Sequence, residues 1–202
     1  MEVKVYTQSL SAPTVDRREI LRYAMCRENS REVERLLDEC LSEINGRLKY
    51  SVCLTRLPVS ALGDEVDLSF TRVSSRLLSK YLCDCDEIFL FCATVGVEMD
   101  RLIAKYATVS PSRSTMLQAI GSERVEALCN ELCSLLEEQI RKEGRGTKPR
   151  ISPGYGDLPL ALQRDIFSLM NPEKNIGVML SDSLMMIPSK SVTAIVGIKK
   201  TI

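Results

Sequence analysis

A chain of 202 residues with 45% apolar content can bury a substantial core without help from disulfides or a metal. Its 27 Lys and Arg balance 27 Asp and Glu, so no long-range field draws it to nucleic acid or an anionic membrane. Histidine is missing altogether, which removes the commonest general base and zinc ligand, and the nucleophile-elbow, phosphate-loop and dinucleotide-binding glycine patterns are missing too. The opening MEVKVYTQSL has no apolar signal core, and no run approaches the roughly 18 residues needed to cross a bilayer. One cytosolic domain over residues 1–202 is the expectation.

Residues 16–26 read as a short helix that starts near Asp16 and turns Ile20, Leu21 and Met25 or Tyr23 inward. A second helix follows a cap at Asn29 or Ser30, with Val33, Leu36, Leu37, Cys40, Leu41 and Ile44 at three- and four-residue steps until Asn45-Gly46 stops it. Two period-two runs come next, Tyr50/Val52/Leu54 and Val66/Leu68/Phe70, and the RLPVSALGDE stretch between them is turn chemistry. SSRLLSKYL predicts a helix, and EIFLFCATVG a central strand covered on both faces and ended by Gly96. Strand, glycine, helix is also how phosphate loops are built, but a single glycine is read here as a tight turn without a ligand.

GVEMDRLIAKYA returns to helix, and the longest helix is expected over 114–142. Gly121 costs that helix about 1 kcal/mol, which implies either close approach of another backbone or a break into two shorter helices. RKEGRGTKPR is a basic, glycine-bearing loop, read as solvated. From Asp157 and Pro159 a helix carries Leu162, Ile166 and Leu169 to Asn171-Pro172. NIGVMLS and SVTAIVGI alternate as two final strands, joined by DSLMMIPSK. Helices, strands, helices and strands without a βαβ rhythm predict an α+β fold with a mainly antiparallel sheet.

Among the eight cysteines, Cys40, Cys129 and Cys133 fall on apolar helix stripes and Cys53 and Cys92 in strands, which reads as buried free thiols. Cys83 and Cys85 make a close pair, but a second pair at zinc-ligand spacing is missing.

The stretch RISPGYGDLPL, residues 150–160, is the densest in candidate chemistry. Arg150 offers a fork for a carboxylate, Tyr155 a π face or a hydroxyl, and Gly154 and Gly156 places where backbone can approach a ligand. A plain proline-glycine turn is the equal alternative. Together with IGVMLSDSLMMIPSKSVTAIVGI, the stretch closely resembles the C-terminal reactivation domain of cobalamin-dependent methionine synthase. That family's pattern is an Arg-x-x-x-Gly-Tyr segment, a helix, a glycine-bearing strand, a Leu-[Ser/Thr]-[Asp/Glu]-Ser turn and a Pro-x-x-[Ser/Thr]-Val strand. All five pieces occur in order, at Arg150 to Tyr155, Leu158 to Met170, Gly177, Leu180 to Ser183 and Pro188 to Val192. Weaker likeness extends upstream through GSERVEAL and CATVGVEMD to Asp16, so the chain looks like a free-standing version of the domain.

The resemblance implies a bent α+β domain with a mainly antiparallel sheet flanked by helices. It implies binding of S-adenosylmethionine, whose methyl group is presented to cobalamin when the cofactor has slipped to cob(II)alamin, with an electron from a flavodoxin-like donor. The cobalamin is expected on a partner, a methionine synthase polypeptide or another corrinoid protein, because the family's corrinoid ligand is a histidine this chain does not have. Arg150 matches the arginine that grips the ligand, Tyr155 the tyrosine near the reacting centre, and Ser152 and Gly154 the places where backbone meets it. Asp16 and Glu126 align with two ligand-contacting carboxylates; read from the residues alone, they are equally a helix cap and a solvated helix face. Two other readings remain: a module that docks on a corrinoid protein without binding S-adenosylmethionine, and an independent methyltransferase, which would lack the glycine-rich loop usual in such enzymes.

Overall fold

The computed structural model describes residues 3–26 and 30–201. Four antiparallel strands, β1 (Tyr6–Ser9), β2 (Ser51–Pro58), β6 (Cys85–Thr94) and β9 (Ser191–Lys199), lie side by side in that order. β6 is the spine: Phe91 faces Leu54 of β2 on one side and Ala194 of β9 on the other. Strand alternation sends Phe89, Phe91 and Ala93 to one core and Ile88, Leu90 and Cys92 to a second. Both faces are therefore buried, which is why EIFLFCAT reads as an unbroken apolar run.

The first face is covered by α1 (Arg17–Tyr23), α2 (Arg31–Ile44), α4 (Glu98–Tyr106) and α5 (Pro111–Lys142). On the second lie α3 (Arg76–Leu82), α6 (Leu162–Met170), α7 (Pro172–Ile176) and a small antiparallel sheet of β3 (Ser60–Leu62), β4 (Glu65–Asp67) and β5 (Arg72–Ser74). The α+β, antiparallel expectation is met. Among the described residues no helix is long and apolar enough to cross a membrane.

Several elements differ from their sequence expectation. Ser30 caps α2, its hydroxyl accepting from the Val33 amide, while Asn29 lies outside the described residues. RLPVSALGDE is not a plain turn: it holds the end of β2 and all of β3. Only the Met179–Leu180 part of NIGVMLS is strand, β7, paired with β8 (Met186–Ile187). Asn171 adopts a left-handed backbone and its side chain accepts from the Lys174 amide, so Pro172 starts another helical turn that absorbs Asn175 and Ile176.

Gly121 does not break α5, which runs through it as 32 residues. A methyl group there would stand 2.8 Å from Met99 Cγ and 2.9 Å from Lys190 Cε, so the close approach is by side chains rather than backbone. The basic loop is not free in solvent either. Arg145 pairs with Asp86 and Glu87 and Lys148 with Asp84, because β6 begins among three carboxylates. Cys40, Cys53, Cys85, Cys92 and Cys129 are buried free thiols, Cys133 is half-buried and Cys83 is exposed.

Candidate functional site

Between β1 and α1 the chain crosses the end of the first helical layer as an irregular strap, residues 10–16. Leu10 donates to the Tyr50 carbonyl, 2.9 Å. Arg124 of α5 then takes hold, donating from Nη1 to the Pro13 carbonyl at 2.6 Å and from Nη2 to the Thr14 carbonyl at 2.7 Å. The same guanidinium makes two 2.5 Å bonds to Glu123, whose Oε1 accepts from the Asp16 amide at 2.9 Å. Both charged side chains are almost wholly buried. Asp16 is thereby fixed as the N-cap of α1, with Oδ1 accepting from the Arg18 and Glu19 amides. Its Oδ2 accepts no protein hydrogen bond among the described residues.

The strap and α5 enclose an open cleft of about 440 Å3. Asp16, Glu19, Glu123, Glu126 and Glu131 line it, and neither lysine nor arginine does so among the described residues. Helical spacing explains the α5 contribution, since Glu123, Glu126 or Ala127, and Asn130 follow at three- and four-residue steps and share one face. The lining is rich in carboxylates, but Arg124, Arg150 and Arg22 pair with Glu123, Glu126 and Glu19, which leaves the Asp16 and Glu131 charges to meet a cation.

Arg150 stands outside this lining but is bonded to two of its residues. Its Nη2 donates to Glu126 Oε2 at 2.6 Å and to Asn130 Oδ1 at 3.1 Å. Nε and Nη1 make no protein hydrogen bond among the described residues, so their N–H groups are left to donate singly to a ligand oxygen, while Nη2, shared by both bidentate edges of the fork, is already engaged. Burial works against the guanidinium charge, but the Glu126 bond and the Coulombic pull of Cys129, Glu126 and Cys133 together outweigh it, and the pKa lies above the ordinary arginine value. Beneath the pair, burial pushes the Cys129 thiol up to about 12 and raises Cys133 as well, so neither is a thiolate at neutral pH.

Two devices set the position of Arg150. The segment before it extends the sheet beyond β9: Lys148 donates to the Gly197 carbonyl, and Ile151 and Ile195 exchange both backbone bonds at 2.9 and 2.8 Å. Between those contacts the Tyr81 hydroxyl accepts from the Gly197 amide at 2.9 Å and donates to the Pro149 carbonyl at 2.7 Å. After Arg150 the chain turns at Gly154 and Gly156, both left-handed at φ +93° and +54°. A methyl group on Gly156 would reach within 2.8 Å of Leu77 Cδ2. Asp157 then caps α3 rather than its own following helix, accepting from Ser75 Oγ at 2.6 Å and from the Arg76 and Leu77 amides.

Of the six residues singled out by the sequence, the structure joins Asp16, Glu126 and Arg150 around one cleft. Ser152, Gly154 and Tyr155 follow on the loop of Arg150, outside the cleft walls. The Tyr155 amide bonds to the Ser152 carbonyl at 3.2 Å, and its ring is 65% exposed. Sequence reasoning missed Glu123, Arg124, Asn130 and Tyr81. One signal was legible: Ile120, Arg124 and Leu128 stand four residues apart, so a charge sits inside an apolar stripe.

This fold is that of a reactivation-domain-like α+β protein. It matches the crystal structure of the MetH reactivation domain bound to AdoHcy with a TM-score of 0.67 and 18% identity, over 97% of this chain and 78% of that one. At that identity the likeness is one of fold. The family itself is established by sequence: the chain belongs to the vitamin B12-dependent methionine synthase activation domain family, whose sequence model matches residues 76–201. No curated protein matches it.

Proposed function

We propose that this chain binds S-adenosylmethionine in the cleft between the strap and α5, and so supports reductive methylation of cob(II)alamin held by a separate corrinoid protein. The observation that carries the reading is the pairing of an acidic cleft with a half-free arginine fork at its rim. A methionine moiety bears a carboxylate, an ammonium and a sulfonium. The unengaged Nε and Nη1 groups of Arg150 suit the first, and the Asp16 and Glu126 carboxylates suit the two cations. The methionine synthase structure that shares this fold was solved with AdoHcy bound, which supports the same ligand class here.

S-adenosylmethionine supplies the transferable methyl group, so the chain need only bind, orient and exclude water. That suits a site without histidine and with unionised cysteines. On this reading the 202 residues form one activation-domain unit acting in the cytoplasm. Its partner carries the cobalamin, and an electron arrives from a flavodoxin-like donor.

A specific observation favours a second reading, a docking module that binds no S-adenosylmethionine. Exposed Tyr155 stands outside the cleft, and the glycines on either side of it lie against partly exposed Leu160 and Leu77, as on a surface that meets another protein. Titration calorimetry with S-adenosylmethionine separates the two. Binding that Arg150→Ala weakens by about 2 kcal/mol or more supports the cleft. Unchanged affinity removes Arg150 from the site, and a wild type that binds only its corrinoid partner establishes the docking module.

A further inference from the structure

Arg124 is the largest of the fully buried side chains, and it is charged. A buried ion pair repays its desolvation poorly in stability, so such a pair calls for another account of what it does. Here three hydrogen bonds of the pair go to one irregular segment, two join the pair itself, and the Tyr50 hydroxyl also meets Arg124. Arg124 holds the Pro13 and Thr14 carbonyls, Glu123 holds the Asp16 amide, and each side chain holds the other. No regular strand or helix supports residues 10–16, and the strap separates two cavities. The acidic cleft lies on the side of Thr14 and Asp16, and a second cavity of about 450 Å3, lined by Ala12, Pro13, Val15 and Arg124, lies behind. With open space on both sides, packing alone leaves the strap free to move toward either. Backbone carbonyls and an amide gripped by a rigid fork do not allow that.

We infer that Glu123 and Arg124 are positioning residues: their ion pair braces the 13–16 strap so that the Asp16 carboxylate is held facing Glu126 across the cleft. The inference rests on the cleft being the ligand site, and it adds that ligand affinity depends on a residue, Arg124, that lines the cavity behind the strap and not the cleft. Asp16 is the element through which the brace acts.

The test uses the whole chain and the double variant Glu123→Gln/Arg124→Met, which removes both charges together while keeping volume and so leaves no lone buried ion. Its melting temperature is expected to stay close to wild type. Hydrogen exchange at the Asp16 amide, which donates to Glu123, and at the Arg18 and Glu19 amides that Asp16 caps should quicken, and calorimetric affinity for S-adenosylmethionine should fall on the order of tenfold to a hundredfold. Asp16→Asn, which keeps the cap but not the charge, should weaken binding as well. Combined with the double variant it should add little further loss, since both act through one carboxylate.

Unchanged affinity in the double variant, or losses that add in full, would overturn the inference. If wild type itself shows no S-adenosylmethionine binding, the functional reading fails, and hydrogen exchange alone decides the brace: unaltered strap exchange overturns it and faster exchange sustains it. Should the double variant not fold, Arg124→Lys serves with the same readouts, because an ammonium can pair with Glu123 but cannot span both carbonyls.

Discussion

Two irregular segments deliver the candidate residues, and they are held by opposite means. The strap that carries Asp16 has no sheet partner over residues 11–16 and is gripped by a buried ion pair. The loop that carries Arg150 is an extension of the central sheet, held by backbone bonds to β9 and by the neutral hydroxyl of Tyr81, with the more exposed ion pairs of Arg145 and Lys148 at its start. Charge buried without its partner is costly, whereas a lost neutral hydrogen bond is a modest deficit. Each segment is therefore vulnerable in its own way: the strap loses most from a single change in its brace, and the loop loses less from the removal of any one contact.

The largest effect should come from breaking the strap alone. Arg124→Met leaves Glu123 buried without its partner, and about 3–5 kcal/mol of stability should be lost in urea unfolding. A loss below about 1 kcal/mol would mean that Glu123 finds water and that the contrast between the segments is smaller than drawn. Breaking the loop should cost less. Tyr81→Phe keeps the ring but leaves the Gly197 amide and the Pro149 carbonyl without their partner, a loss of about 1–3 kcal/mol by the same measurement. A deficit equal to that of Arg124→Met would erase the distinction.

The smallest effect concerns the far end of the loop and is read as a pH dependence. The Ser75 hydroxyl, followed by the Leu77 and Arg76 amides, holds the Asp157 carboxyl below its ordinary value of about 3.9. A depressed carboxyl stabilises the fold above the unfolded pKa, and the contribution fades as pH falls through the lower, folded value. Thermal unfolding followed downward from about pH 4 should therefore show a decline that Asp157→Asn flattens. Parallel curves for the two proteins would show that the cap does not link the loop to α3 in its charged form.

The residues whose surroundings are regular were readable in advance. α2 and α5 follow from three- and four-residue apolar spacing, and β6 and β9 from length and alternation. The Arg150–Tyr155 segment and the Asp16 and Glu126 positions were singled out by resemblance to the family, not by periodicity. What escaped has a common cause. The three-residue strands of the small sheet exist because each strand pairs with the next over the second core, not because SAL or EVD prefers extension. Asp157 looks like the cap of the helix that follows it, yet it caps a helix 81 residues upstream because Gly154 and Gly156 turn the chain back onto α3. The basic loop reads as solvated until the start of β6 brings its carboxylates alongside.

By itself the sequence determined the fold class, the chain's major elements and the motif that marks its family, since each depends on periodicity and on residues near one another in the chain. Tertiary structure alone decided that Asp16, Glu126 and Arg150 share one cleft, that Glu126 pairs with Arg150 instead of facing solvent, and that Arg124 binds the strap. Those contacts span 24 to 111 positions. Their partners are selected by where α5 and the sheet edge meet in space, a quantity no local pattern encodes.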